Sequence, residues 1–283
     1  MARRWLAGLL VLMAAGSVYV SGTVLERRAA ARERSNQLLY LPNGRHLKVA
    51  SLGQATVLAD MIYIWAIQYY SEYERADRFR YVEHVFGEVI TELDPHYVDA
   101  YWLGALILIV EAGELERGLA LLDQGFAANP DKWILPYLAG WECWLAGQPG
   151  RAADYFDAAA ATPGAPPTVR RMRAGMVSRA GDLETALALW NEILEDPGSD
   201  PTSRAIAERK VLDLRVQTDL RELRAAIERF RFENSRFPGS LEELQKRGYI
   251  RGVPRHPDDR DYDYDPRSGK VSAPEGRVLG ESA

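Results

Sequence analysis

The sequence repeats one short stretch three times, as Ala112-Gly113-Glu114-Leu115, Ala146-Gly147-Gln148-Pro149 and Ala180-Gly181-Asp182-Leu183. The glycine of each copy follows the previous one after 34 residues. A constant period of this length indicates stacked supersecondary units, each of which buries its apolar face against its neighbours. The chain is therefore expected to contain a repeat array.

Small and bulky residues follow each turn at helical spacing. A small residue stands five positions after the glycine and a bulky one four positions later, in the pairs Gly118 and Leu122, Ala152 and Phe156, and Ala186 and Trp190. Such pairs let two helices approach and interlock. Each unit then ends at a proline, which cannot continue a helix, namely Pro130, Pro163 or Pro197. Every unit is predicted to be a helix, a glycine turn, a second helix and a proline stop.

These residues resemble the tetratricopeptide repeat (TPR) family, in which a small-residue pair, a glycine turn and a small residue in the second helix recur at this period. The first-helix part of this motif appears as Leu103-Gly104, Ala139-Gly140 and, more weakly, Arg173-Ala174. Three units match from Asp99 to Pro197, and the first of them carries about two extra residues before its turn. A divergent unit precedes them at Ser51 to Pro95. The resemblance implies a mainly α protein with a TPR-like α-solenoid over residues 51–199.

The resemblance also implies a concave groove, lined by first helices, that holds a peptide or a partner helix. In the second of the three matching units an aromatic stripe shares one helix face, and the family pattern places that face in the groove. An aromatic wall that ends in guanidinium groups suits an extended or helical segment with a carboxylate at one end. The predicted groove residues are Tyr101, Tyr137, Trp141, Trp144, Arg171 and Arg179.

Two alternatives to a binding groove stay open. An aromatic stripe at helical spacing is also typical of a protein core, and these rings could pack against the N-terminal region or the C-terminal module. Arg171 and Arg179 could equally be solvated. A second stripe, in the divergent unit, is interpreted as a buried seam between helices and consists of Trp65, Tyr69 and Tyr73.

Composition limits the function classes. The 283 residues carry a formal net charge of -5, so no excess positive charge offsets a nucleic-acid backbone. The single Cys143 excludes an intramolecular disulfide and a cysteine-based zinc site. The sequence has no phosphate-binding glycine loop, no nucleophile elbow and no metal-binding histidine spacing. We therefore expect a protein that is not an enzyme and that needs no cofactor.

Residues 1–25 predict a membrane anchor. The stretch from Trp5 to Leu25 carries no charge and is long enough to cross the hydrocarbon core as a helix of about 20 residues. A cleaved secretory signal is the alternative, because a basic start precedes an apolar core and a run of small residues. Residues 26–50 form a juxtamembrane segment. The arginines after the span favour a cytoplasmic body, whereas the short basic start is typical of exported signal-anchor proteins, so the orientation stays open.

The period changes at Asp200, and residues 200–272 predict a separate module. Ser203 to Asn234 contains no glycine or proline and carries apolar residues at helical intervals, which predicts one long amphipathic helix. A short helix from Ser240 to Lys246 and a small β-hairpin follow. Residues 273–283 are expected to be a flexible tail.

The module from Leu214 to Ser272 resembles the globular part of the major pseudopilins of type II secretion. It departs from them because a repeat array separates its helix from the membrane segment, so a plain cap that closes the solenoid is the alternative. In that family this region can hold calcium, and the candidate ligands here are Asp261, Asp263 and Asp265. Alternating residues of a strand would instead share a solvent face.

Together these features predict a membrane-anchored scaffold that binds proteins within a bacterial envelope assembly, secretion or transport complex. We expect a single pass through the inner membrane with the bulk in the periplasm, although the arginine count favours the cytoplasm. The alternative function is a structural subunit that assembles with pseudopilins or type IV pilus-like components through its C-terminal module.

Overall fold

The computed structural model describes residues 41–73 and 78–274, which are mostly helical, so the prediction of a mainly α protein is confirmed. A two-stranded antiparallel sheet, β1 (Asp263–Asp265) and β2 (Lys270–Ser272), stands near the end. The helices are α1 (Gly44–Ala50), α2 (Ala55–Tyr70), π1 (Glu83–Ile90), α3 (Thr91–Leu93), α4 (Val98–Leu106), π2 (Ile107–Glu111), α5 (Leu115–Ala128), α6 (Ile134–Leu145), α7 (Pro149–Ala161), α8 (Pro167–Arg179), α9 (Leu183–Glu195), α10 (Pro201–Asn234) and α11 (Leu241–Lys246).

The helices form a stack of four pairs. Pair 1 joins α2 to π1 and α3, pair 2 joins α4 and π2 to α5, pair 3 is α6 with α7, and pair 4 is α8 with α9. From α4 onward, each helix packs chiefly on the helices next to it in the chain, and α10 packs on α9. This nearest-neighbour packing is what the repeat period predicts.

The three repeated glycines make the turns inside pairs 2, 3 and 4. Gly113, Gly147 and Gly181 have φ angles of 73°, 73° and 93°, in the left-handed region that favours glycine. The turn residues therefore follow from backbone geometry, because a Cβ would be strained at these angles.

The extra residues predicted in the first matching unit are accommodated by a π-helical turn. In π2 the Ala112 amide donates to the Ile107 carbonyl, and the Glu114 amide donates to the Leu108 carbonyl. These hydrogen bonds span more residues than the α-helical bond, so the helix takes up the insertion without leaving pair 2.

Small residues allow the helices of a pair to approach closely. A Cβ on Gly118 would lie 2.3 Å from Cγ1 of Ile109, and a Cβ on Gly140 would lie 3.1 Å from the Phe156 ring. One continuous core follows from this packing and runs from α2 to α8, with Phe86, Tyr101, Leu122 and Phe156 among its largest buried side chains.

Bidentate ion pairs join successive units on the outside of the stack. Arg117 donates through Nε and Nη2 to the two carboxylate oxygens of Glu83, at 2.7 and 2.9 Å. Arg151 binds Glu116 in the same way one unit later, at 2.7 and 3.0 Å. These hydrogen bonds hold the pKa of both glutamates below the usual range. The repeat thus extends to pair 1, although the motif around Gly113 has no copy there.

Pair 1 departs from the regular units. Residues 74–77, which connect its two halves, lie outside the described residues. Trp65 and Tyr69 are half-buried, but Tyr73 is exposed, so the predicted seam is wrong for Tyr73. It fails there because Tyr73 follows the end of α2 at Tyr70 and no longer shares the helix face.

Part of the predicted juxtamembrane segment is helical and packed. Helix α1 contacts π1 and α3, and Gly44 is buried because a Cβ there would lie 2.6 Å from the Glu88 carbonyl oxygen. Within residues 41–73 and 78–274, no helix combines the length and the apolar character needed to span a bilayer. The anchor predicted at residues 1–25 lies outside the described residues.

The long helix α10 contributes side chains to two hydrophobic cores. It begins at the cap residue Asp200, whose side chain accepts from the Ser203 amide. Its first half, around Ala207 and Leu214, packs with pair 4, and its second half, around Leu223 and Phe230, packs with α11 and the hairpin. The predicted long helix, short helix and hairpin are all present. In the hairpin, Tyr264 pairs with Val271.

Candidate functional site

The aromatic stripe of α6 is half-exposed. We call Tyr137, Trp141 and Trp144 the aromatic ladder. The rings of Tyr137 and Trp141 stack with centroids 6.4 Å apart, and the rings of Trp141 and Trp144 meet edge to face at 4.7 Å. Each ring therefore supports the next, which holds the ladder in a fixed shape.

The opposite face of α6 explains why the ladder points outward. Leu135, Ala139 and Cys143 are fully buried in the stack, whereas the ladder residues, on the other side of the helix, are only partly buried. The Tyr137 ring lies 5.6 Å from the buried Phe156 ring, which fixes the inner end of the ladder. Burial raises the pKa of the Cys143 thiol to about 11, which keeps it protonated and unreactive at neutral pH.

Helix α8 forms the neighbouring wall of the site. Gly175 stands one period after Trp141, and a Cβ placed there would meet nothing within 4 Å, so the wall is open at this level. One turn further on, the guanidinium of Arg179 lies 5.8 Å from the centre of the Trp144 ring. The site thus combines aromatic surface, open space beside it and a positive charge at one end.

Two predicted groove residues do not belong to this site. Tyr101 is only 1% exposed and packs under Gly125, where a Cβ would lie 2.7 Å from the tyrosine ring. The prediction for Tyr101 is wrong because the ring faces the second helix of its own pair. Arg171 donates to Ser203 Oγ and Thr168 Oγ1, so its guanidinium fastens α8 to the start of α10.

The sequence reasoning missed neighbours that enlarge the site. Trp133 meets the Tyr137 ring edge to face at 5.7 Å and extends the aromatic surface by one helical turn. Leu145, next to Trp144 in the chain, is exposed. Trp133 stands four residues before Tyr137, a spacing that could have identified it. The burial of Tyr101 had its own signal, because a mid-helix glycine such as Gly125 marks a close approach.

The acidic residues of the C-terminal module do not form a calcium site. Among the described residues, no group of three or more histidine, cysteine, aspartate or glutamate side chains is placed to hold a metal. Asp265 accepts from the Arg267 amide and from Ser268 Oγ, so it caps the hairpin turn. Asp261 and Asp263 are exposed, and Asp261 lies 3.9 Å from Arg255. The calcium hypothesis is therefore not supported, because the three carboxylates point to solvent or to turn groups.

Comparisons with known proteins give a weak structural likeness. No known protein family matches the chain, and no curated protein sequence does. Among solved structures, the chain is similar to a thermophilic TPR protein of Thermus thermophilus, with 18% identity and a TM-score of 0.34. The match covers 59% of this chain and 95% of that one.

Proposed function

We propose that this protein is a non-catalytic scaffold that holds a protein partner on the aromatic ladder and the Arg179 side chain. The observation that carries the proposal is the preformed row of half-exposed rings beside an open wall and a guanidinium group. Tryptophan, tyrosine and arginine are the residues that dominate binding energy at protein interfaces. The partner would insert apolar side chains against the rings and place a carboxylate near Arg179.

The lack of catalytic machinery in the sequence supports a binding role over an enzymatic one. The described titratable groups with shifted pKa values belong mainly to ion pairs, helix caps and tyrosines that are buried or half-buried. Cys143, the one thiol in the sequence, is buried and protonated. None of these groups pairs a nucleophile with an activating base, which an acid–base or covalent mechanism would require.

The proposal also includes a cellular location for the scaffold. The uncharged stretch from Trp5 to Leu25 would anchor the chain by a single pass in a bacterial inner membrane, with the bulk in the periplasm. The complex it serves would then act in envelope assembly, secretion or transport. A reporter fused to the C-terminus tests the side, because alkaline phosphatase activity without green fluorescence requires export.

Affinity purification of the full chain from detergent-solubilised membranes tests the partner site. The variant is Trp141→Ala with Trp144→Ala, and the matched control is Trp102→Ala, which removes a tryptophan that is 43% exposed on α4. We expect a protein that co-purifies with the wild type and with the control but is lost with the double variant. Circular dichroism must show the same helical signal for all three proteins.

Two outcomes of these experiments would contradict the proposed binding site. A partner retained by the folded double variant would remove the aromatic ladder from the function. If the same partner is instead lost when residues 214–283 are deleted, the alternative role as a structural subunit that assembles through the C-terminal module would take its place.

A further inference from the structure

The outer face of α2 is apolar and uncovered. Val57, Met61 and Ile64 follow one another at spacings of four and three residues, share one side of the helix and are exposed, Met61 by 64%. Val49 at the end of α1 and Leu52 in the turn between the helices lie just before them in the chain and are 81% and 90% exposed. We call these five residues the apolar face.

On the outward side of α2, exposed aliphatic residues outnumber the exposed polar ones, which are Thr56, Asp60 and Gln68. Asp60 is the single charged residue between Ala55 and Tyr70, and its carboxylate is bonded to the Tyr97 hydroxyl. The inner side, with Ala59, Ile62 and Ala66, is buried against π1 and α3. Exposed aliphatic side chains that lie together on a helix are usually covered by a partner or a membrane, which implies an occupant for the apolar face.

The turn before α2 presents a leucine in an unusual way. Leu52 has a φ angle of 50°, in the left-handed region that bulky residues rarely adopt, and its side chain is directed away from the stack into solvent. Glycine or asparagine would be the ordinary residue at such a position. An exposed leucine at the tip of the turn is consistent with insertion into an apolar phase.

Most charged residues near the apolar face are basic. Arg45, His46 and Lys48 lie on α1, whereas the exposed Asp60 on α2 is acidic and its carboxylate is hydrogen-bonded to the Tyr97 hydroxyl. The Arg45 side chain is 81% exposed, and its nearest carboxylate, on Glu92, lies 3.9 Å away. Aliphatic side chains flanked by basic ones are the pattern of a helix that lies on an anionic lipid surface.

The preceding chain places a membrane within reach of this face. The Leu41 carbonyl accepts a hydrogen bond from the His84 ring at 2.8 Å, so the chain enters the described structure beside α1 and π1. Residues 26–40 separate this point from the proposed anchor and contain Arg27, Arg28, Arg32 and Arg34. Even fully extended, at about 3.3–3.6 Å per residue, they reach only about 50 Å from the membrane.

We infer that the apolar face rests on the lipid surface of the membrane in which the chain is anchored. Its side chains enter the boundary between headgroups and acyl chains, and Arg45 and Lys48 contact anionic headgroups. This inference rests on the membrane anchoring in the proposed function but not on the aromatic ladder.

Lipid contact can be measured in the full chain reconstituted in vesicles of phosphatidylcholine and phosphatidylglycerol. A Met61→Cys variant carries a small environment-sensitive dye, and Phe232→Cys, at a position 89% exposed on α10, is the matched control. Cys143 is fully buried, so the parent chain should take up no dye. Some of the lipids carry a nitroxide near the headgroup, in both leaflets, so either orientation of the protein is detected.

We expect the nitroxide lipids to quench the dye at position 61 and to leave the dye at position 232 bright. Equal brightness at the two positions, in protein that floats with the vesicles, would overturn lipid contact while leaving the anchor in place. A dye at position 61 that emits at shorter wavelength without being quenched would also overturn it, since a protein surface would then cover the face. Protein that does not float with the vesicles would refute the anchor and the lipid contact together.

A second variant links the quenching to the apolar face. Val57→Ser and Ile64→Ser, added to Met61→Cys, should reduce the quenching and leave the melting temperature unchanged, because both side chains are exposed. Vesicles without phosphatidylglycerol should also reduce it. Quenching that persists through both changes would contradict the assignment of this face to anionic lipid.

Discussion

Helices α2 and α6 are both the first helix of their pair and both are rich in apolar residues, but their outward faces differ in kind. The face of α6 is aromatic, its rings pack on one another, and its end meets the guanidinium of Arg179. The face of α2 is mainly aliphatic, and the charged residues near it are the basic ones of α1 and Asp60. Rigid rings with a localised charge suit a protein partner, whereas flexible aliphatic side chains with diffuse positive charge suit lipid.

The largest expected effect is a local loss of stability when a buried phenylalanine beneath either face is truncated. Phe156 lies under Tyr137 in pair 3, and Phe86 lies between Tyr63 and Tyr70 in pair 1. Each is fully buried, so Phe156→Ala or Phe86→Ala should cost about 3–5 kcal/mol of stability. Hydrogen exchange should rise in the mutated pair and its neighbours, because units contact only adjacent units. If hydrogen exchange instead rose equally over the whole stack, the two faces would not be supported by separate local cores.

Filling the open wall beside the aromatic ladder should act on binding alone. Gly175→Leu places a side chain where a Cβ meets no atom, so it should not destabilise the fold. It should weaken partner binding by about 2 kcal/mol, the size of a central interface contact, in a calorimetric titration with the purified partner. Gly150→Ala on α7, where a Cβ also meets nothing, is the control and should leave affinity unchanged. Equal affinity for all three proteins would place the partner elsewhere.

The turn after α6 should tolerate a glycine-to-alanine substitution less well than the helix that follows it. Gly147 has a φ angle of 73°, so Gly147→Ala should cost about 1–2 kcal/mol in chemical denaturation. Gly150→Ala, in helical backbone, should not reduce stability. If the two substitutions behave alike, the turn geometry assigned to the α6 pair is incorrect.

The smallest expected effect is a pH dependence of stability in the C-terminal module, which should not change the faces of α2 and α6. Arg236 and the Gly239 amide bind the Glu243 carboxylate and lower its pKa to about 2, from an ordinary value of about 4.3. The stabilisation is therefore complete above pH about 4.3 and is lost as the pH falls towards about 2. Acid should raise hydrogen exchange in α11 before it does so in pairs 2 and 3. Glu243→Gln should remove that dependence, and an unchanged pH profile would exclude this carboxylate as its source.

The sequence predicted most of the architecture because the architecture is periodic. The turns at Gly113, Gly147 and Gly181 depend on local backbone geometry, and the helix after Asp200 depends on a local cap and a long apolar pattern. Turn and cap residues of this kind can be recognised from the few residues around them. The extra residues of the first matching unit could be counted, but their accommodation as a π-helical turn depends on packing against α5.

The candidate site was predicted less completely, because exposure depends on contacts between units. Tyr101 and Tyr137 occupy equivalent positions in the repeat, but only Tyr101 faces a glycine in its paired helix and is buried there. Arg171 does not reach the site predicted for it, because it binds Ser203, and that contact depends on the position of α10. The apolar face of α2 could not be predicted, because aliphatic residues at helical spacing are typical of a core until the fold shows which of them are exposed.

The most direct test of the central claim is site-specific photo-cross-linking at the aromatic ladder. A photoreactive phenylalanine derivative replaces Trp144 in one protein and Trp102 in another, and both are irradiated in intact membranes. We predict a cross-linked partner of defined mass from position 144 and none from position 102. Cross-linking from both positions, or from position 102 alone, would contradict a binding site built on the ladder.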